Sequence, residues 1–187
     1  WNVIPYQENP NQMNRFADIK GVYVASLENL SNANYLHYQP AETNTSIREG
    51  WFYRNDHEQG VRSADDVFDM YERAVGGNSI FLLNIPPNTQ GLFPDRDVKV
   101  LEEVGKRIRN TYNEDLLKDA KGPKEVLDNN DQSYLLLDRS KSFEISLKAT
   151  VKINRLIIQE AIRSHGERVA AFSLEALLDG EWKKIAQ

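Results

Sequence analysis

Ser79-Ile80-Phe81-Leu82-Leu83-Asn84, running on into Ile85-Pro86-Pro87-Asn88-Thr89-Gln90-Gly91-Leu92-Phe93-Pro94, is the stretch on which the fold turns. Its apolar run is short, continuous and closed by a polar residue, the pattern of a strand buried on both faces of a parallel sheet. The Pro and Gly residues that follow make a loop. Upstream, a helix is predicted from about Ala64 to Val75, with Ser63 as N-cap, Asp65 and Asp66 in the first turn and Gly76-Gly77 as the stop. Val67, Phe68, Tyr71, Ala74 and Val75 share one face at helical spacing. Downstream, Asp95 is expected to cap a second helix striped by Val98, Leu101, Val104 and Ile108, with Lys106, Arg107 and Arg109 near its C-terminal end, where cations are favoured. Helix, strand, loop and helix make a βα repeat, so residues to about Tyr112 read as part of a larger parallel sheet or barrel.

Outward from this unit the texture changes. Trp1 to about Asp18 is rich in Asn, Gln and Pro without helical or strand periodicity, and reads as a long loop. The segment Tyr35 to Glu42 alternates like one short strand. After Asn113 the polar run Lys118-Asp119-Ala120-Lys121-Gly122-Pro123 is linker-like. The expected division is therefore 1–112, 113–123 and 124–187. Short strands are predicted in the last part at Tyr134 to Leu137, Phe143 to Leu147, Val151 to Gln159, Val169 to Leu177 and Trp182 to Ile185, with Asp179-Gly180 as a turn. They suggest an antiparallel β-sandwich too short in strands to cover both faces.

Composition narrows the function classes. The 187 residues are 40% hydrophobic and 27% charged, an ordinary globular balance. The formal charge is -5 and no basic block stands out, which argues against nucleic acid as a partner. No run of about 18 apolar residues offers a membrane span. Absence of cysteine removes disulfides, thiolate metal sites and Cys nucleophiles. His37, His57 and His165 lie far apart without metal-ligand spacing, and Gly76-Gly77 has no phosphate-loop pattern, so neither metal nor nucleotide cofactor is expected. The opening Trp1-Asn2-Val3-Ile4-Pro5 carries neither initiator Met nor signal peptide, and reads as a mature form or an excised piece.

The most informative region is Pro40-Ala41-Glu42-Thr43-Asn44-Thr45-Ser46-Ile47-Arg48-Glu49-Gly50-Trp51-Phe52-Tyr53, where a carboxylate, an Arg and three aromatics sit together on a strand end and loop. In an α/β barrel such loops line the active site. An aromatic face for the C-H patch of a sugar, with charged groups for its hydroxyls, is one reading. Core aromatics beside a surface ion pair are the other, and from the residues alone both stay open.

That run, followed by Asn78-Ser79-Ile80-Phe81-Leu82-Leu83-Asn84-Ile85-Pro86-Pro87-Asn88-Thr89-Gln90-Gly91-Leu92, closely resembles the late barrel region of the family 29 glycoside hydrolases, the α-L-fucosidases, and within them the 1,3/1,4-linkage-selective branch. Leu156 to Glu160, Val169 to Glu175 and Trp182 to Ala186 resemble the galactose-binding-like sandwich that follows the barrel in these enzymes. The resemblance implies the C-terminal part of a (β/α)8 TIM barrel followed by an incomplete galactose-binding-like β-sandwich. It also implies a retaining enzyme without cofactor, acting on a fucosylated glycan, and a periplasmic or secreted bacterial location. The nucleophile and general acid/base motifs of the family would lie upstream, in the remainder of the parent enzyme, so this chain alone is expected to be inactive. Trp51, Glu42 and Arg48 are implied as substrate-pocket residues, with Glu42 also the one candidate acid/base in this chain. A non-catalytic carbohydrate-binding or structural module is the alternative.

Overall fold

The computed structural model describes residues 3–6, 31–32, 34–38, 40–138, 141–166 and 168–186. Strand β1 (Val3–Tyr6) pairs antiparallel with β2 (Tyr35–Tyr38). The loop expected from Trp1 to Asp18 thus contains a strand, and its remaining residues lie outside the described ones. The single strand expected over Tyr35 to Glu42 is two elements in two sheets. Pro40, which has no N–H to give to a ladder, separates β2 from β3 (Ala41–Ser46).

The centre of the molecule is a β–α–β–α unit. Helix α1 (Ala64–Gly76) starts where Ser63 Oγ accepts the Asp66 N–H at 3.1 Å, and ends at Gly77, whose N–H donates to the Arg73 carbonyl at 3.0 Å. The chain then reverses through Asn78, at φ 56°, into β4 (Ser79–Asn84), which lies parallel to β3 with Ala41 opposite Ser79 and Ser46 opposite Asn84. A parallel pair needs such a crossover helix to return the chain to the same end of the sheet. Helix α2 (Asp95–Tyr112) follows, with Pro94 at the N-cap and no side-chain capping bond. Asp95 is therefore the first helical residue and not the cap. Its carboxylate in the first turn is still favourable beside the unpaired N–H groups there.

Ile47, Val67 and Val104 are the buried heart of the core, and Val61, Met70, Phe81, Leu83, Ile85, Leu101 and Ile108 pack around them. Tyr71 joins the layer by edge contacts with Phe81 and Tyr112. Val75, expected on the buried face of α1, is exposed. Among the described residues β4 is covered on one face only. Phe81 and Leu83 meet the helices, while the alternate residues Ile80 and Leu82 remain 54% and 47% exposed, so burial of both faces is not realised.

Beyond α2 the chain is sparsely paired. A 3-10 turn (Lys124–Val126), a short helix α3 (Ile162–His165), an isolated bridge between Lys121 and Ser146 and one hairpin, β5 (Leu174–Leu178) with β6 (Glu181–Ala186), are its regular features among the described residues. Tyr134 to Leu137, Phe143 to Leu147 and Val151 to Gln159 form no ladder there, because alternation supplies an apolar face but not a partner strand.

Candidate functional site

Strand β3 does not stop at Ser46 so much as leave the sheet. The Ile47 N–H still donates to the Asn84 carbonyl at 3.0 Å, and Ile47 itself is fully buried. From there the chain makes a closed loop to Arg62, whose N–H returns to the Ile47 carbonyl at 2.8 Å, while Glu49 N–H donates to the Gly60 carbonyl at 3.0 Å. Within this neck Gly50, at φ 80°, turns the backbone so that Trp51, Phe52 and Tyr53 project at the C-terminal end of the parallel pair.

These three aromatics form one wall of a cleft of about 390 Å³. Asn84, Pro86, Pro87, Asn88 and Thr89, from the end of β4 and its loop, form the other. Asn84 ties the walls together. Its side-chain N–H₂ donates to Ser46 Oγ at 3.2 Å and to the Trp51 carbonyl at 2.9 Å. The second wall is shaped by Asn88, whose Oδ1 accepts the N–H groups of Gln90 at 2.9 Å and Leu92 at 3.0 Å, with Gly91 at φ 77° making the turn. Among the described residues such a cleft offers flat apolar surface with a few amide groups and no charge, which suits a neutral polar ring carrying an apolar face.

A buried polar cluster lies beneath the aromatic wall. Arg48 is 5% exposed and Asp97, in the first turn of α2, is fully buried. Arg48 Nε and Nη2 donate to the two carboxylate oxygens of Asp97 at 2.8 Å each, and Nη1 donates to Gln59 Oε1 at 3.0 Å. The guanidinium also sits over the Tyr53 ring, 5.2 Å from its centroid. Gln59, fully buried, hands its amide N–H₂ to the carbonyls of Glu49 at 2.9 Å and Phe52 at 2.8 Å, and its Oε1 also accepts the Arg54 N–H at 3.0 Å.

The three residues singled out from the sequence are placed differently from one another. Trp51 is half exposed and lines the cleft. Arg48 lies behind the wall, with three N–H donors committed to Asp97 and Gln59. Glu42 is exposed near the start of β3, on the face shared by Ile80 and Asn84 but about 13 Å along the strand from Ser46. It is not brought to the cleft, which no carboxylate lines among the described residues. Asp97 and Gln59 were not anticipated. Nothing local marks a residue that meets its partner 49 positions away. Of the histidines, His165 contacts Ser164 and the Tyr134 ring, and no metal-binding cluster of His, Cys, Asp and Glu occurs among the described residues.

The geometry can be set beside known proteins. A family model described as Alpha-L-fucosidase matches residues 9–113. Alpha-L-fucosidase 1 of Arabidopsis thaliana is 33% identical over 165 residues, which cover 78% of this chain and 32% of that protein. A crystal structure from Bacteroides ovatus, provisionally assigned as an alpha-L-fucosidase, superposes with a TM-score of 0.66 at 32% identity, covering 89% of this chain and 27% of that one. The crystal structure of SpGH29 gives a TM-score of 0.63 at 27% identity, over 80% of this chain and 35% of that one. The chain spans about a third of the length of the curated relatives it matches.

Proposed function

The chain belongs to the alpha-L-fucosidase family of glycoside hydrolases, and from that premise we propose that it is the late part of the catalytic barrel of a retaining α-L-fucosidase, with residues 113–123 as linker and 124–187 as the beginning of an accessory β-domain. The parent enzyme releases terminal α-1,3/1,4-linked fucose from glycans and works in the periplasm or outside the cell. The observation that carries this reading is convergence. Gly50-Trp51-Phe52-Tyr53 and Asn84-Ile85-Pro86-Pro87-Asn88-Thr89, the two motifs that resemble the family, meet in one cleft at the C-terminal end of two parallel strands, where barrel enzymes bind substrate.

In this reading Trp51 packs on the apolar side of fucose, including the C5 methyl, and Asn84 meets hydroxyls. Fucose is a 6-deoxy sugar, and burying its methyl contributes about 1 kcal/mol that a hydroxymethyl sugar forgoes. Arg48 keeps the wall in shape and does not touch the sugar. Double displacement needs two carboxyl groups about 5 Å apart on either side of the glycosidic bond. None lines the cleft among the described residues, and in this reading those groups belong to the remainder of the parent enzyme, whose other barrel strands complete the pocket.

The test is Trp51→Ala in the enzyme that contains this chain. kcat/KM for an aryl α-L-fucoside should fall at least about tenfold, or about 1.4 kcal/mol, with the melting temperature nearly unchanged because Trp51 is half exposed. Unchanged kinetics, or a fucose complex with Trp51 away from the sugar, would overturn the assignment.

A further inference from the structure

The polar groups beneath the cleft form a continuous connection from helix α2 to the aromatic wall. Asp97 presents both carboxylate oxygens to Arg48 at 2.8 Å, and Arg48 passes the link to Gln59 at 3.0 Å. Gln59 holds the backbone of the wall itself, through the carbonyls of Glu49 and Phe52 and the N–H of Arg54. Arg48 adds direct support to Tyr53 from below. The helix that carries Asp97 begins immediately after Leu92-Phe93-Pro94, so it continues from the opposite wall of the cleft. One buried residue is thereby tied to both walls. A buried ion pair is seldom more stabilising than well-packed apolar residues of the same volume, whereas a two-pronged Arg–carboxylate contact fixes direction as well as distance.

We infer that Asp97, acting through Arg48 and Gln59, is a positioning residue that fixes the Trp51–Tyr53 wall against the Asn84–Thr89 wall and so sets the affinity of the cleft for its sugar. This rests on the reading of the cleft as the fucose pocket. Asp97 touches no substrate. Its influence should appear as weaker binding of ground and transition states alike, which raises KM and leaves kcat in place.

The experiment uses the full-length enzyme labelled with 5-fluorotryptophan, the Trp51 line being identified by its loss in Trp51→Phe. Asp97→Asn keeps the size of the side chain and removes its charge. It should shift the Trp51 fluorine line and raise KM for an aryl α-L-fucoside about tenfold with kcat within about twofold, and Asp97→Glu should recover part of the KM. Gln59→Met leaves the Arg48–Asp97 pair intact and cuts the ties to Glu49 and Phe52, so it should reproduce both changes even if Asp97→Asn fails to fold. A Trp51 line and KM unchanged in Gln59→Met and in any folded Asp97 variant, with only the melting temperature lowered, would overturn the inference. If the unaltered enzyme neither binds nor cleaves a fucoside, the pocket reading fails while movement of the Trp51 line still decides the positioning role.

Discussion

Gly50 holds φ 80° at the point where the loop turns into Trp51, and a Cβ added there would meet nothing within 4 Å. The cost of a side chain at this position is therefore one of backbone conformation, about 1–2 kcal/mol for an L-residue in the left-handed region. Gly50→Ala should lower the unfolding free energy by that amount in a denaturant titration. A negligible loss would show that the neck between Arg48 and Trp51 adopts another path, and a much larger one would point to a clash the geometry does not contain. At this scale the sequence was informative about Trp51, because Gly followed by three aromatics is a local signature of a bend. It was silent about Gln59, a residue type common at surfaces that here is fully buried. Arg48 was visible as a charged residue in the right motif. Its commitment to Asp97 was not, since that pairing exists only after α1 and β4 have brought α2 beneath the loop.

Elements whose start and stop signals are local came through most clearly. Ser63 and Gly77 bound α1 by hydrogen bonds within one turn, and Asp65 and Asp66 lie in its first turn as expected. Ser63→Ala removes the 3.1 Å capping bond to Asp66 N–H without touching the core, and should destabilise the protein by about 1 kcal/mol, with Ser63→Asp near neutral. Equal losses in both variants would mean that Ser63 acts through something other than capping. The β5–β6 hairpin was legible for the same reason, since Asp179 and Gly180, at φ 54° and 83°, supply the two left-handed residues of a tight two-residue turn. Strands are different when their partners are remote. Phe143 to Leu147 alternates as a strand should, yet its only ladder contact among the described residues is the bridge from Ser146 to Lys121. Likewise the composition of β4 reads as burial on both faces, although among the described residues only Phe81 and Leu83 have helices to meet.

At the scale of the whole molecule, an ion pair fastens the sparsely paired tail to the helical layer. Arg155 reaches across 83 positions to Glu72 on α1, with Nε to Oε1 at 2.6 Å and Nη2 to Oε2 at 2.9 Å, and Tyr112 O–H donates to the same carboxylate at 2.8 Å. The Arg155 hydrogen bonds, against an opposing push from burial, hold the Glu72 carboxyl below its ordinary range. A carboxyl depressed on folding stabilises the native state above its unfolded value of about 4.3, and that contribution is lost as pH falls through the folded value. Glu72→Gln should therefore be less stable than the parent by a constant margin at neutral pH, and the margin should narrow below about pH 4; a margin unchanged down to the acid limit of folding would remove the clasp from the account. The same scale decides what the chain does alone. Glu42, Asn44 and Ser46 share a face with Ile80, Leu82 and Asn84, the face that a closed barrel turns to its interior, and Ile80 and Leu82 are about half exposed on it. The β3–β4 sheet has two strands, so each carries an outer edge unpaired among the described residues. An uncovered apolar face beside open edges favours self-association, and no carboxylate among the described residues lines the cleft, whereas double displacement needs two. The 187-residue chain by itself should thus show concentration-dependent association in sedimentation velocity, relieved by Leu82→Thr, and no hydrolysis of an aryl α-L-fucoside. Turnover by a monomeric preparation, with contaminating fucosidase excluded, would mean that both reacting carboxylates reside in this chain.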